Sequence, residues 1–320
     1  MKKTNIVVLD SKPLINDGLS LAKLYELGDV KLYDKTPAEL VIEHAHDADI
    51  VITNKVKFTE QHFSKLPRLR YIGETATGVD NIDVKAATKH NIIVTNVPNY
   101  STDSVAQHVL ALLLTHTNQV EAHNQSIQKG EWQTSPYFAY WLHPIIELSG
   151  MTLGLMGYGQ VAQKVALIAS TLGMKIIAHK PTPFNDSLAT WVSFTELLQQ
   201  SDVLSLHCPL NDTTKNIINT NTLKQMKPTS ILINTGRGAL VDEAALADAL
   251  KTKQIRAAYL DVLSQEPPGF DNPLIGLDNC VITPHVAWAS LAARKRLLNT
   301  VCENIIHFLN GQPINVIKAS

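Results

Sequence analysis

Little in this 320-residue chain points to a disulfide, a metal centre, a membrane or a nucleic acid. Its three cysteines, Cys208, Cys280 and Cys302, are odd in number and scattered. They form no CxxC pair and no metal-ligand spacing, so a reduced, cytoplasmic protein without a metal site is expected. The formal net charge is −1, which gives no reason to expect nucleic acid or an anionic membrane as partner. No stretch approaches the roughly 18 apolar residues of a membrane span. The start is basic, but its apolar run, residues 6–9, is too short for a signal peptide and reads as a first strand. A GxSxG elbow is missing and so is HExxH, which leaves serine-hydrolase and metal-hydrolase chemistry without support.

What is present is an alternation. Apolar residues make up 45% of the chain, enough for two cores of ordinary size, and charged residues 18%. Strand-like runs rich in Val and Ile occur at 6–9, 31–33, 50–53, 71–73 and 92–95. A second series follows at 152–156, 175–178, 203–206, 230–234, 257–260 and 281–283. Helix-length segments between them, such as 37–45 and 84–89, predict parallel sheets with right-handed crossovers. The expected architecture is α/β, with two doubly wound parallel-sheet domains. Residues 101–120 carry Val105, Val109, Leu112, Leu113 and Val120 at helical spacing, and 291–309 read as another helix, ended by Gly311 and Pro313. Both are expected to join the domains. The aromatic segment 130–144, with Trp132, Tyr137, Phe138, Tyr140 and Trp141, suits local packing, an oligomer contact or an active-site wall.

The sharpest local signal lies at 151–180. A short apolar run ends in Gly157-Tyr158-Gly159-Gln160-Val161-Ala162, and a helical pattern through Val165, Ala169 and Leu172 reaches Gly173 before the next strand. This is the strand, glycine turn, helix, strand order of a dinucleotide-binding unit, with Ala in the third glycine position. Gly157 permits the turn, Gly159 lets the backbone approach a pyrophosphate, and Ala162 keeps the helix close to the sheet. The helix N-terminus supplies donors and positive dipole for the anion.

Ligands of open parallel sheets bind at the carboxyl ends of the strands. There the second series presents His207-Cys208-Pro209, Thr235-Gly236-Arg237-Gly238, Asp261 with Glu266 beyond it, and Pro284-His285. These residue types suit hydride transfer to a 2-oxo acid. His285 would donate a proton to the developing alkoxide, Arg237 would grip a carboxylate, and Glu266 would bond the second imidazole nitrogen.

Together with 76–83 (Ala76-Thr77-Gly78-Val79-Asp80-Asn81-Ile82-Asp83), Ser104-Val105-Ala106-Gln107 and Leu260-Asp261-Val262, these motifs resemble the D-isomer-specific 2-hydroxyacid dehydrogenases along essentially the whole chain. Segments 75–79 and 141–148 are most similar to the glycerate dehydrogenase (hydroxypyruvate reductase) branch. The resemblance implies a Rossmann-type cofactor domain, 100–287, inserted in a flavodoxin-like substrate domain, 1–99 and 288–320. It implies no C-terminal regulatory domain of the kind carried by many 3-phosphoglycerate dehydrogenases, since the chain stops soon after the return helix. It implies Arg237, Glu266 and His285 as the catalytic set, with Ala76, Thr77 and Gly78 contacting the substrate carboxylate through their backbone. Val105 would line the nicotinamide pocket; Gly157, Gly159, Gln160 and Val161 would meet the pyrophosphate. Cys208, Pro209, Thr235 and Gly236 would flank the cofactor, with Asp261 facing the carboxamide and His285 and Ala287 nearby. A homodimer joined through the cofactor domains, hinged to close over substrate, is also implied.

One position departs from the family. Where an acidic residue should end the second strand of the cofactor domain, this chain has Lys180. A lysine cannot accept bonds from ribose hydroxyls but can neutralise a 2′-phosphate, so the expected cofactor is NAD or NADP with a lean to NADP. The expected reaction is reversible reduction of hydroxypyruvate or glyoxylate. The alternatives are another 2-hydroxy acid, such as D-lactate or 3-phosphoglycerate, and a non-catalytic NAD(H)-sensing partner protein on the same fold.

Overall fold

Short β-branched runs separated by helices leave the backbone one economical solution, the parallel sheet, and the chain builds two of them. The structure, a computed structural model, describes residues 3–318. It divides into one unit of Met1–Ser101 with Ala289–Ser320 and a second, inserted unit of Thr102–Trp288. The outermost residues of the expected substrate domain, 1–2 and 319–320, lie outside the described residues.

In the first unit β1 (Asn5–Val8), β2 (Asp29–Leu32), β3 (Ile50–Thr53), β4 (Tyr71–Glu74) and β5 (Ile93–Thr95) form an all-parallel sheet in the order β2-β1-β3-β4-β5. That is the flavodoxin-like order. The central strands β3 and β4 are buried at every position, as strands covered on both faces must be. The register pairs Thr53 with Glu74 at their carboxyl ends.

The second unit contains β6 (Thr152–Met156), β7 (Lys175–His179), β8 (Thr190–Trp191), β9 (Val203–Leu206), β10 (Ile231–Asn234), β11 (Ala257–Leu260) and β12 (Cys280–Ile282). They run parallel in the order β12-β11-β10-β9-β6-β7-β8, the Rossmann pattern with a further edge strand. Two apolar layers sandwich the sheet. Val203, Ile231, Ile233 and Ala257 pack with Val109 and Val165 on one face, while Leu204, Leu206, Leu232 and Leu260 pack with Leu197 and Leu246 on the other. Each such side chain stabilises the fold by roughly 1.5–3 kcal/mol.

Three expectations change. The 101–120 helix is two helices, Thr102–Asn118 and Val120–Gln128, because Gln119 takes a left-handed conformation (φ 49°) that ends the first. Val120 therefore leaves the apolar stripe and is 73% exposed. Leu172 likewise leaves the stripe, capping the Gln160–Thr171 helix as an exposed residue before Gly173 turns at φ 81°. Neither long helix joins the units: Thr102–Asn118 belongs to the inserted unit and Leu291–Leu309 to the first. The two-residue strand β8 lacks the length to show in sequence.

Candidate active site

The glycine turn after β6 is built as its residues dictate. Gly157 sits at φ 93°, and a Cβ there would stand 2.7 Å from the backbone of His207 and Cys208. Only glycine lets β6 and β9 approach at this point. Gly159 is different: an added Cβ would meet nothing within 4 Å. It is the N-cap of the Gln160–Thr171 helix and has no side chain to cap it, so the first-turn donors face open space. Ala162 is fully buried beneath the helix. Further along the edge, the buried Oγ1 of Thr235 has no hydrogen-bond partner in the chain. An uncapped helix start, open space over Gly159 and an unsatisfied hydroxyl fit a dinucleotide along this edge. Gln160 and Pro209 are exposed there, Val161 and Val105 half-buried, and Gly236 half-buried beyond Thr235.

The chemical groups come from three loops of the same unit. After β10, the Asn234 carboxamide clamps the turn, donating to the carbonyl of Arg237 (2.9 Å) and accepting from the amide of Gly236 (3.0 Å). Gly238 is obligatory, because a Cβ there would collide with the backbone of Leu263. That close approach brings the Arg237 turn against the loop that carries Glu266. Glu266 accepts from the Leu263 amide through Oε1 (3.1 Å) and pairs through Oε2 with Nδ1 of His285 (2.7 Å). The pair is part-exposed, with side chains 28% and 32% accessible. Nε2 of His285 is the ring nitrogen left for a substrate.

His285 holds a left-handed backbone conformation (φ 54°), costly for a non-glycine residue and found where surroundings enforce it. Asp261 enforces it. Its carbonyl accepts from the His285 amide (2.9 Å), and its buried carboxylate accepts from Thr283 Oγ1 and from the amides of Val286 and Ala287. In the structure, then, the contacts of Asp261 and Ala287 shape the histidine loop. Ser104 and His108, one turn apart on the Thr102–Asn118 helix, hold it from behind: Ser104 donates to the carbonyl of Ala287 (2.6 Å) and His108 bonds Thr283 (3.1 Å). Their helical spacing of four is the signal that pairs them on one face; Asn234 announces itself only by preceding the Thr235 turn.

Other reactive groups on this edge are disqualified. Burial pushes the Cys208 thiol up to about 11, which keeps it from acting as a nucleophile. Burial lowers His207 to about 4, so it is a neutral imidazole bonded to Ser205 (2.9 Å) and not a proton donor. At the end of β7, Lys180 places its ammonium 5.2 Å from the centre of the Phe184 ring, which stacks on Tyr158. The acid in that loop, Asp186, is occupied by Tyr158 Oη and the amides of Leu188 and Ala189.

The first unit contributes a different kind of edge. After β4 the carbonyls of Thr75, Ala76 and Thr77 are tied down by Asn54 Nδ2, the Val97 amide and Asn96 Nδ2. Among the described residues, no acceptor in the chain takes the amides of Ala76, Thr77 and Gly78. Consecutive amides left free in this way are candidates for an anion-binding nest.

Residues 110–287 match the family described as D-isomer specific 2-hydroxyacid dehydrogenase, NAD binding domain. The chain belongs to that family. A hydroxypyruvate reductase of Blautia hydrogenotrophica is 42% identical over 98% of this chain and 99% of its own. Among solved structures, an acyclic imino acid reductase in complex with NADPH and D-Arg superposes with a TM-score of 0.86 at 36% identity, covering 98% and 100% of the two chains. An NADPH-dependent glyoxylate/hydroxypyruvate reductase from Sinorhizobium meliloti, in complex with NADP and malonate, gives 0.86 at 28% identity over 98% and 96%. This D-2-hydroxyacid dehydrogenase is thus an NAD(P)-dependent oxidoreductase acting on small 2-hydroxy or 2-oxo acids. Among its described residues no helix is long and apolar enough to cross a membrane.

Proposed function

We propose that the enzyme reduces hydroxypyruvate or glyoxylate to the D-2-hydroxy acid, with the Thr102–Trp288 unit as cofactor domain and the other as substrate domain. The observation that carries this reading is the 2.7 Å pair of His285 and Glu266 beside the Arg237 turn. A nicotinamide cofactor, when bound along Gly157–Val161, Thr235 and the neighbouring edge, supplies the hydride. The protein does the rest. Arg237 is the cofactor unit's candidate for the substrate carboxylate, and the amides of Ala76, Thr77 and Gly78 are the first unit's. Glu266 keeps Nδ1 of His285 as its hydrogen-bond donor, which leaves Nε2 to face the substrate. Nε2 then hands a proton to the carbonyl oxygen as negative charge develops on it. In the reverse direction the neutral ring takes that proton back.

NADPH is the preferred cofactor in this reading. Lys180 stands half-buried where an acidic residue would accept ribose hydroxyls, and Asp186 is already occupied. The S. meliloti enzyme, hydroxypyruvate- and glyoxylate-reducing by its description, supports both substrate and cofactor. The protein is taken as a cytoplasmic homodimer. Its three free thiols favour the first. The exposed Tyr137, Phe138 and Trp141 of the cofactor unit favour the second, since such aromatic surface is enriched at interfaces.

Initial rates with NADH and NADPH, over hydroxypyruvate, glyoxylate, pyruvate, phosphohydroxypyruvate and an imino acid, test the reading. Fast NADPH-dependent reduction of hydroxypyruvate or glyoxylate is expected. Tight cofactor binding with no turnover would overturn it in favour of a sensor, and turnover of the imino acid alone would move the substrate to that class.

A further inference from the structure

Glu74, the last residue of β4, is a buried carboxyl group that forms no ion pair among the described residues. It is 1% exposed, and its Oε1 has no hydrogen-bond partner. Its Oε2 accepts from Nδ2 of Asn81 (3.0 Å), and the same amide group donates to the carbonyl of Val56 (3.0 Å). Asn81 closes the loop that begins at Thr75. Its carbonyl accepts from the Phe58 amide (2.9 Å), so the loop's far end is sewn to the segment after β3. The loop that presents the free amides of Ala76, Thr77 and Gly78 is therefore anchored at both ends, and at one of them the anchor is a buried acid.

We propose that Glu74 is a positioning residue for substrate binding: as a neutral carboxylic acid it fixes Asn81 and hence the amide nest, and its ionisation weakens the hold on the substrate carboxylate. This rests on the reading of 76–78 as the carboxylate site. Two effects act together. A buried negative charge behind an anion nest repels the ligand, and the charge draws water or Lys55 toward a packed loop. Burial is the first cause of holding Glu74 protonated, pushing it up to about 9 against the downward pull of the Asn81 hydrogen bond. The charged groups facing it are Asp10 from the segment after β1, Asp80 from its own loop and Lys55 from the segment after β3. The first two raise it further and the last lowers it. Asp10 is itself raised by burial, although it accepts from the amides of Asn54 and Lys55.

The test is the KM for hydroxypyruvate, and the Ki of a non-reducible dicarboxylate such as oxalate, from about pH 6 to pH 10, in the wild-type enzyme and in Glu74→Gln. Glutamine keeps the acceptor for Asn81 and cannot ionise. In the wild type both constants are expected to rise on the alkaline side by about tenfold, the equivalent of 1.4 kcal/mol. In Glu74→Gln that alkaline rise is lost from both constants. Parallel profiles in the two proteins would overturn the proposal. So would a wild-type KM flat to pH 10, a result that needs no variant to fold. No turnover by the wild type on any 2-oxo acid, with oxalate not bound, would sink the parent reading instead.

Discussion

The two units carry the same kind of sheet, and each offers hydrogen-bonding groups at the carboxyl ends of its own strands, yet they build those ends from different material. In the inserted unit side chains act: Arg237, Glu266 and His285 project from separate loops, each bonded to a neighbour that fixes it. In the first unit the main chain is what is offered: carbonyls are tied inward and amides left over, with the ionisable Glu74 buried behind them. Side chains that move protons must reach water and substrate. A nest that only holds a carboxylate gains from rigidity and from having nothing to titrate near neutrality. The contrast predicts that substitution of the proton-donating His285 strikes turnover, whereas changes to the groups that hold a carboxylate strike affinity.

The largest break comes at His285. His285→Ala should cut kcat by roughly 10²–10⁴-fold, the usual contribution of general acid catalysis, while cofactor affinity measured by fluorescence titration stays close to normal. Near wild-type turnover would end the assignment of the proton donor. Next comes Arg237→Lys, which keeps the charge and loses the fork. Because hydrogen bonds to charged groups contribute about 1.5–3 kcal/mol each, KM should rise by about 10- to 100-fold. A variant with unchanged KM would remove Arg237 from the carboxylate site.

The two turn glycines sharpen the comparison within one loop. Gly157→Ala meets backbone at 2.7 Å and must hold φ 93°, so it should lower Tm by several degrees, at roughly 1–3 kcal/mol for the strained conformation alone. Gly159→Ala meets nothing within 4 Å and should leave Tm unchanged while weakening cofactor binding. Equal losses of stability would mean that the space over Gly159 is not a ligand's. Lys180→Ala should lower the NADPH to NADH ratio of kcat/KM by about tenfold, the loss of one charge-assisted contact. An unchanged ratio would show that Lys180 stays with Phe184 and takes no part in cofactor choice.

Most of the architecture could be read from the chain because parallel strands buried on both faces are near-continuous apolar runs, and all but one of those found were visible as such. The exception, Thr190–Trp191, is only two residues long. The helix break at Gln119 was invisible, since no glycine or proline marks the left-handed turn there. At the site, residues whose type announces chemistry were legible: His285, Glu266, Arg237 and the turn glycines. The roles of the residues that hold them were not. Asn234, Ser104 and His108 act through single hydrogen bonds to backbone or hydroxyl groups, and an Asn, a Ser or a surface His gives no sign of its partner. Glu74 is the sharpest case, because a glutamate ending a strand reads as a solvated edge until its burial is known.

That burial has a consequence for stability with a definite sign, smaller than the effects on catalysis. Burial holds Glu74 up to about 9 in the folded protein, against 4.5 for the free side chain. Between those values the native state binds a proton that the unfolded state has released, so stability must fall as pH rises through the window from about 5 to 9. Below it both states are protonated and the acid contributes no pH dependence. Asp10, also raised by burial, contributes in the same direction in both proteins. Thermal melts of the two proteins at about pH 5 and pH 8.5 should therefore converge at the acidic end and separate at the alkaline end, with Glu74→Gln the more stable. Parallel curves would mean that Glu74 ionises normally in the folded chain, and the difference between a titrating edge and a silent one would have to be given up.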